Sequence, residues 1–111
     1  MARGNAAINT LRRRLTLQAP VSTPDNAGGN TTSFVTVASI WAEVVWLSGE
    51  ERLRADRPEQ AGRYQITLRW RAGIDAGMRF ADGPRVFGIL SAGDPLGNRT
   101  RLVCLCEEIS P

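Results

Sequence analysis

The chain has no histidine and no lysine; all fourteen of its basic side chains are arginine. A coding bias produces the same pattern, but the physical consequences hold whatever its origin. Every positive charge is permanent and able to make forked contacts with a carboxylate or phosphate. No side chain titrates near neutrality from its ordinary pKa, so a simple histidine switch is excluded. Imidazole bases and Schiff-base chemistry are excluded with it. Cysteine is scarce too. Cys104 and Cys106 are two apart in a strand-like run. They share one face about 7 Å apart, a poor geometry for a disulfide. Without histidine or further cysteine they make no complete four-ligand zinc site. Both read as small buried hydrophobes, and a reducing compartment is expected. No apolar run reaches membrane-spanning length, so no membrane partner is expected. Residues 1–10 read as a small, polar arm without a hydrophobic signal region.

What is present fits one domain of 111 residues with ordinary apolar content and three tryptophans. The net charge of +3 is spread along the chain rather than gathered in a patch. Its one basic run is Arg12-Arg13-Arg14, in which a strand would place Arg12 and Arg14 on one face and Arg13 on the other. That face reads as a solvated edge or as a subunit or phosphate contact.

The chain reads as strands almost throughout. Residues 13–19 alternate, with Leu15 and Leu17 on one face. Residues 20–32 carry turn chemistry in two prolines, Asp25-Asn26 and Gly28-Gly29. Residues 32–47 read as one long strand or two with a bend, and a parity change between Val35/Val37 and Ile40/Ala42/Val44/Trp46 predicts a bulge near Ala38-Ser39. Ser48-Gly49-Glu50-Glu51 fits a capping box, which predicts a short helix from Gly49 to about Arg57, limited by Pro58. Leu53 and Ala55 give that helix almost no core face. Residues 62–71 alternate cleanly, with Tyr64, Ile66, Leu68 and Trp70 as the core face. Two short strands then flank a hairpin turn at Asp82-Gly83, and a last strand carries Leu102, Cys104 and Cys106. The sum is an all-β fold: a small six-stranded β-barrel over residues 11–111, with a long loop and short-helix excursion at 48–62.

Catalysis finds little support. The carboxylates Asp75, Asp82, Asp94, Glu107 and Glu108 remain, but Asp82 and Asp94 lie in turn motifs. A barrel this small leaves little room for a substrate cleft beside its own core. No phosphate-cradling glycine loop occurs and no cofactor is expected.

The order of several motifs resembles a known family. Leu11-Arg12 is followed by Arg14-Leu15-Thr16-Leu17-Gln18 and Pro20, then Asp25 and Gly28-Gly29. Trp41-Ala42 with Val44, Ser48-Gly49-Glu50 with Ala55, and Ile66-Thr67-Leu68-Arg69 with Arg71 come next. Phe87 with Ile89 and Leu105-Cys106-Glu107 close the series. In this order the chain resembles the tailed-phage head–tail joining proteins, also called head-completion or stopper proteins, which gene transfer agents share. Phe34 stands where that family commonly has Trp, Trp70 where it has Tyr, and Pro58 interrupts a stretch that is often more helical.

The resemblance implies a non-enzymatic virion protein, made in the host cytoplasm and placed in the particle neck. It implies a homo-oligomeric ring, taken as a hexamer, with adaptor and portal proteins above and a tail terminator or tail tube below. Packaged double-stranded DNA would occupy the channel. Ser48, Gly49, Glu50, Glu51, Arg52, Arg54 and Arg57 are the expected channel or subunit-interface residues. Arg12, Arg14, Asp25, Gly28, Gly29 and Trp41 are the expected docking contacts. Two other readings stand beside this one: a tail terminator or other connector ring, and a free nucleic-acid-binding OB- or SH3-like barrel, which would need exposed aromatics for stacking.

Overall fold

The computed structural model describes residues 12–54 and 57–109, giving the backbone alone for 48–54 and 57–61. The expected arm at 1–10, together with Leu11, Ala55, Asp56, Ser110 and Pro111, lies outside the described residues. Six strands follow one another: β1 (Arg13–Pro24), β2 (Asn30–Arg54), β3 (Arg57–Arg69), β4 (Arg79–Asp82), β5 (Arg85–Gly93) and β6 (Arg101–Ile109). They close into a barrel in the order β1-β2-β3-β6-β5-β4, with every neighbouring pair antiparallel. Within the closed ring every strand has a neighbour on each side, and free edges remain only where strands run past their partners.

Alternation builds the interior. Leu15 and Leu17 from β1, Ile40 and Ala42 from β2, and Ile66 and Leu68 from β3 point inward. Phe80 from β4, Phe87 and Ile89 from β5, and Leu102, Cys104 and Cys106 from β6 complete the same core. Both cysteines are buried and free, as their shared face predicts. Burial pushes the Cys104 thiol up to about 12, and burial with its neighbouring thiol raises Cys106 further.

Two hairpins run past the barrel. At one end β1 and β2 stay paired out to Pro24↔Asn30; at the other, β2 and β3 stay paired out to Arg54↔Arg57. β2 belongs to both. Its 25 residues would span about 80 Å if straight, yet the longest dimension of the molecule is 50 Å. The strand therefore curves, and it does so with two bulges. Val37 is the extra residue between Leu17↔Ala38 and Gln18↔Thr36, and Leu47 is the extra residue between Trp46↔Tyr64 and Ser48↔Arg63. A third bulge leaves Leu90 unpaired in β5.

The bulge predicted from the parity change in β2 is present, with Val37, beside Ala38, as its extra residue. Three sequence expectations about the fold need correction. The turn expected over 20–32 shrinks to Asp25–Gly29 at the hairpin tip, because β1 carries on through Pro20. β1 pairs with β4 only at Thr16, Leu17 and Gln18, so beyond them its outer side is a free edge, where proline's missing N–H is tolerated. The turn between β4 and β5 is centred on Gly83-Pro84, not Asp82-Gly83. Gly83 takes φ +60°, which suits glycine as the first central residue of a tight hairpin.

The largest correction concerns the excursion. Among the described residues no helix occurs in the excursion: residues 48–54 belong to β2 and 57–61 to β3. A short helix without an apolar face has nothing to pack against and does not sustain itself. Extending a ladder already nucleated at Trp46↔Tyr64 satisfies the backbone at once.

Candidate functional site

Two regions concentrate chemistry, and the first is the base of the β2–β3 hairpin. Arg85, at the start of β5, grips Glu108 near the end of β6 with two bonds: Nε donates to Oε2 at 2.9 Å and Nη2 to Oε1 at 3.2 Å. Nη2 also donates to the Tyr64 hydroxyl at 3.1 Å. The guanidinium lies 4.9 Å from the Phe87 ring centre, and Tyr64 meets Phe87 edge-on at 5.1 Å. The Arg85 hydrogen bond holds the Glu108 carboxyl below the usual carboxylate range, against a smaller opposing effect of burial. Beside this cluster Arg13 pairs with Asp82 at 2.8 Å. Arg63 Nε lies 3.5 Å from Glu107 Oε2, close enough for charge attraction but too long for a good hydrogen bond.

From this base the hairpin carries the expected channel residues. Their side chains lie outside the described residues; the backbone register places them. Ser48 stands opposite Arg63, Gly49 opposite Gly62, Glu50 opposite Ala61 and Glu51 opposite Gln60. Arg52 stands opposite Glu59, and Arg54 opposite Arg57. The ladder thus sets one opposite-charge pair below a like-charge pair that closes it. Gly62 sits where a Cβ would come within 3.0 Å of the Tyr64 ring, so the aromatic packs directly under the hairpin.

The second region is on the outer wall. Arg14 donates from Nε to the Ser39 hydroxyl at 2.8 Å and lies 5.1 Å from the Trp41 ring centre. Trp41 is 52% exposed, consistent with its odd parity in β2. Arg12 lines the same surface. Three of the six expected docking contacts do not share this place. Arg12, Arg14 and Trp41 come together, whereas Asp25, Gly28 and Gly29 form the tip of the β1–β2 hairpin. There the Asp25 Oδ1 accepts from the N–H groups of Ala27 at 2.9 Å and Gly29 at 3.0 Å. Those bonds, that to Ala27 first, lower the Asp25 pKa. Gly28 has φ +84°, so turn geometry accounts for all three residues.

Trp46 shares the sequence parity of Ile40, Ala42 and Val44, which implies a place on the core face, and the structure corrects this: it is 61% exposed. β1 begins at Arg13, opposite Ala42, so below that level β2 has lost its neighbour on one side. Sequence reading also missed the partnership of Arg85, Glu108 and Tyr64, although the inward parity of Tyr64, Phe87 and Cys106 carried the signal. Among the described residues no group of three or more acidic or cysteine side chains could hold a metal.

A family model for phage head completion proteins matches residues 7–109. The chain belongs to the phage head completion protein family. Membership makes it a structural protein of a phage or phage-like particle. Solved structures agree. A chain in the virion of a native gene transfer agent particle superposes with a TM-score of 0.78 at 27% identity, covering 91% of this chain and 97% of that one. The solution structure of protein SF1141 from Shigella flexneri 2a gives a TM-score of 0.66 at 29% identity, covering 93% and 96%. No curated protein matches the sequence.

Proposed function

We propose that this head completion protein closes the filled head as a hexameric ring between the portal and adaptor above and the tail below. In this reading it sits in the particle neck, retains packaged DNA and provides the platform for the tail terminator or tail tube. The observation that carries the reading is the β2–β3 hairpin. It runs well past the barrel wall, has a charged composition unsuited to a core, and is anchored at its base by the Tyr64–Arg85–Glu108 cluster. A rigid barrel carrying a long hairpin is suited to placing one segment per subunit toward a common axis. Glu50 and Glu51 of one copy would meet Arg52, Arg54 or Arg57 of the next. Mixed charge there suits a gate that must hold DNA and also let it go, because a purely basic ring would bind phosphates too strongly.

Electron microscopy of particles made without this gene tests the reading. Leaking or empty heads beside complete, separate tails are expected; intact particles with DNA and attached tails would overturn it. Replacing Arg52, Arg54 and Arg57 together by alanine should yield heads that assemble but lose DNA. Normal retention and tail joining would remove these arginines from the gate.

The free nucleic-acid-binding reading keeps one observation in its favour, the exposure of Trp41 and Trp46. Titrating the isolated chain with short DNA at physiological salt, while following tryptophan fluorescence, separates the two. Saturable quenching favours the binding module, and no change favours the neck protein.

A further inference from the structure

β2 and β3 pair down to Ala42↔Leu68 and part beyond it. Between the diverging strands lies an open groove of about 600 Å³. Its floor is apolar, formed by Ile40, Leu68 and Trp70, and its rim carries Trp41. Arg12, Arg69 and Arg71 form the walls. No carboxylate lines it, and among the described residues none pairs with these three arginines. Two further guanidinium groups lie close by, Arg14 over Trp41 and Arg99 over Trp70 at 5.2 Å. β2 has β1 on one side here and, above Ala42, no strand on the other.

We propose that this groove receives an extended, acidic segment of a partner protein, laid as an added strand along the open side of β2. Carboxylates of the segment would meet Arg12, Arg69 and Arg71. Alternate side chains of an added strand point to opposite faces, so an apolar residue between two acidic ones would settle over Ile40 and Leu68. A strand's backbone groups would satisfy the unpaired side of β2. The features together favour a peptide over DNA. A phosphate backbone would use the arginines but leave the apolar floor empty, and a duplex is too broad to enter between two strands. Bases seeking indole faces would find one face of each tryptophan already covered by a guanidinium group. The proposal goes beyond the head-closure reading and does not depend on it.

The test is an NMR titration of the isolated protein with a capped peptide of alternating aspartate and valine. Saturable shifts are expected at the indole N–H groups of Trp41 and Trp70 and at the amides of Ile40 and Trp41. The Trp46 indole should stay unmoved. The double substitution Arg69→Glu and Arg71→Glu should weaken binding about tenfold or more. Both side chains are exposed, so the rest of the spectrum should be preserved and serves as the check on folding. Equal binding of an asparagine–valine peptide, no loss in the double variant, or shifts centred on Trp46 would each overturn the proposal. So would tighter binding of a short DNA duplex in the same groove, or peptide-independent self-association that shifts the same resonances.

Discussion

The arginines at the base of the β2–β3 hairpin and those around Trp41 sit in the same small barrel under opposite rules. Arg13 and Arg85 are committed to Asp82 and Glu108, and Arg85 is also committed to Tyr64 and Phe87. Arg12, Arg69 and Arg71 surround an apolar groove without a carboxylate. One set ties strands together; the other presents charge outward. Arginine count or net charge cannot tell the two apart. What separates them is the register, which brings Glu108 and Arg85 to the same end of the barrel and puts no acid beside Arg69 or Arg71.

Substitutions can break this contrast, starting with the largest effect. Phe87 is fully buried beneath Arg85 and edge-on to Tyr64. Phe87→Ala should cost about 3–5 kcal/mol in urea unfolding, by removing core and the platform of the cluster together. A loss below about 1 kcal/mol would mean that this end of the barrel is loosely packed. Arg85→Ala should cost about 1–2 kcal/mol, because it strands a partly buried carboxylate; the partial exposure of the pair keeps the effect from being larger. Arg69→Ala should stay within about 0.5 kcal/mol. Equal losses at Arg85 and Arg69 would erase the distinction between the two sets.

The contrast also has a pH signature. The folded-state pKa of Glu108 is lowered, so its contribution to stability is fully present above the ordinary carboxylate range. It is lost as pH falls through the folded value. Thermal unfolding followed downward from neutrality should show a decline that Glu108→Gln flattens; an unchanged decline would assign it to other carboxylates. The smallest expected effect is at Thr67, which is 1% exposed with its hydroxyl oxygen unpartnered. Thr67→Val should be neutral or slightly stabilising in the same measurement, and a clear loss would reveal a bond from that hydroxyl.

Much of the barrel is legible from alternation alone. Tyr64, Ile66 and Leu68, like Leu102, Cys104 and Cys106, repeat with a period of two long enough to fix both strand and face. The excursion was misread because Ser48 and Glu51 have capping-box spacing, a local signal, whereas the competing ladder depends on Arg57–Arg69, a partner strand the local window does not contain. Trp46 follows the core parity but lies past the level at which β1 begins, and only the pairing register marks that level. The groove was half visible. Arg12 and Trp41 stand out singly in the sequence, and Arg69 and Arg71 alternate with the core face of residues 62–71, but their meeting depends on β2 and β3 parting after Ala42↔Leu68.

Leu47 neither fills the core nor closes a pair. Its consequence is one of phase. In an unbulged ladder Leu47 would stand opposite Arg63, and Ser48, Glu50, Arg52 and Arg54 would continue the register row of Ile40, Ala42 and Val44. With Leu47 bulged out, Ser48, Glu50, Arg52 and Arg54 instead share the register row of Arg63, and Gly49, Glu51 and Leu53 share that of Gly62. A single unpaired residue thus shifts the phase of β2 through the hairpin without altering the hairpin's paired length. Deleting Leu47 would straighten the ladder and keep Ser48 opposite Arg63, whereas one residue inserted between Arg63 and Tyr64 to pair with Leu47 would turn the hairpin over like a ribbon given half a twist. Lengthening the hairpin by matched pairs would leave its facing untouched. Reach and orientation are therefore written separately in this chain, and each can change while the other is kept.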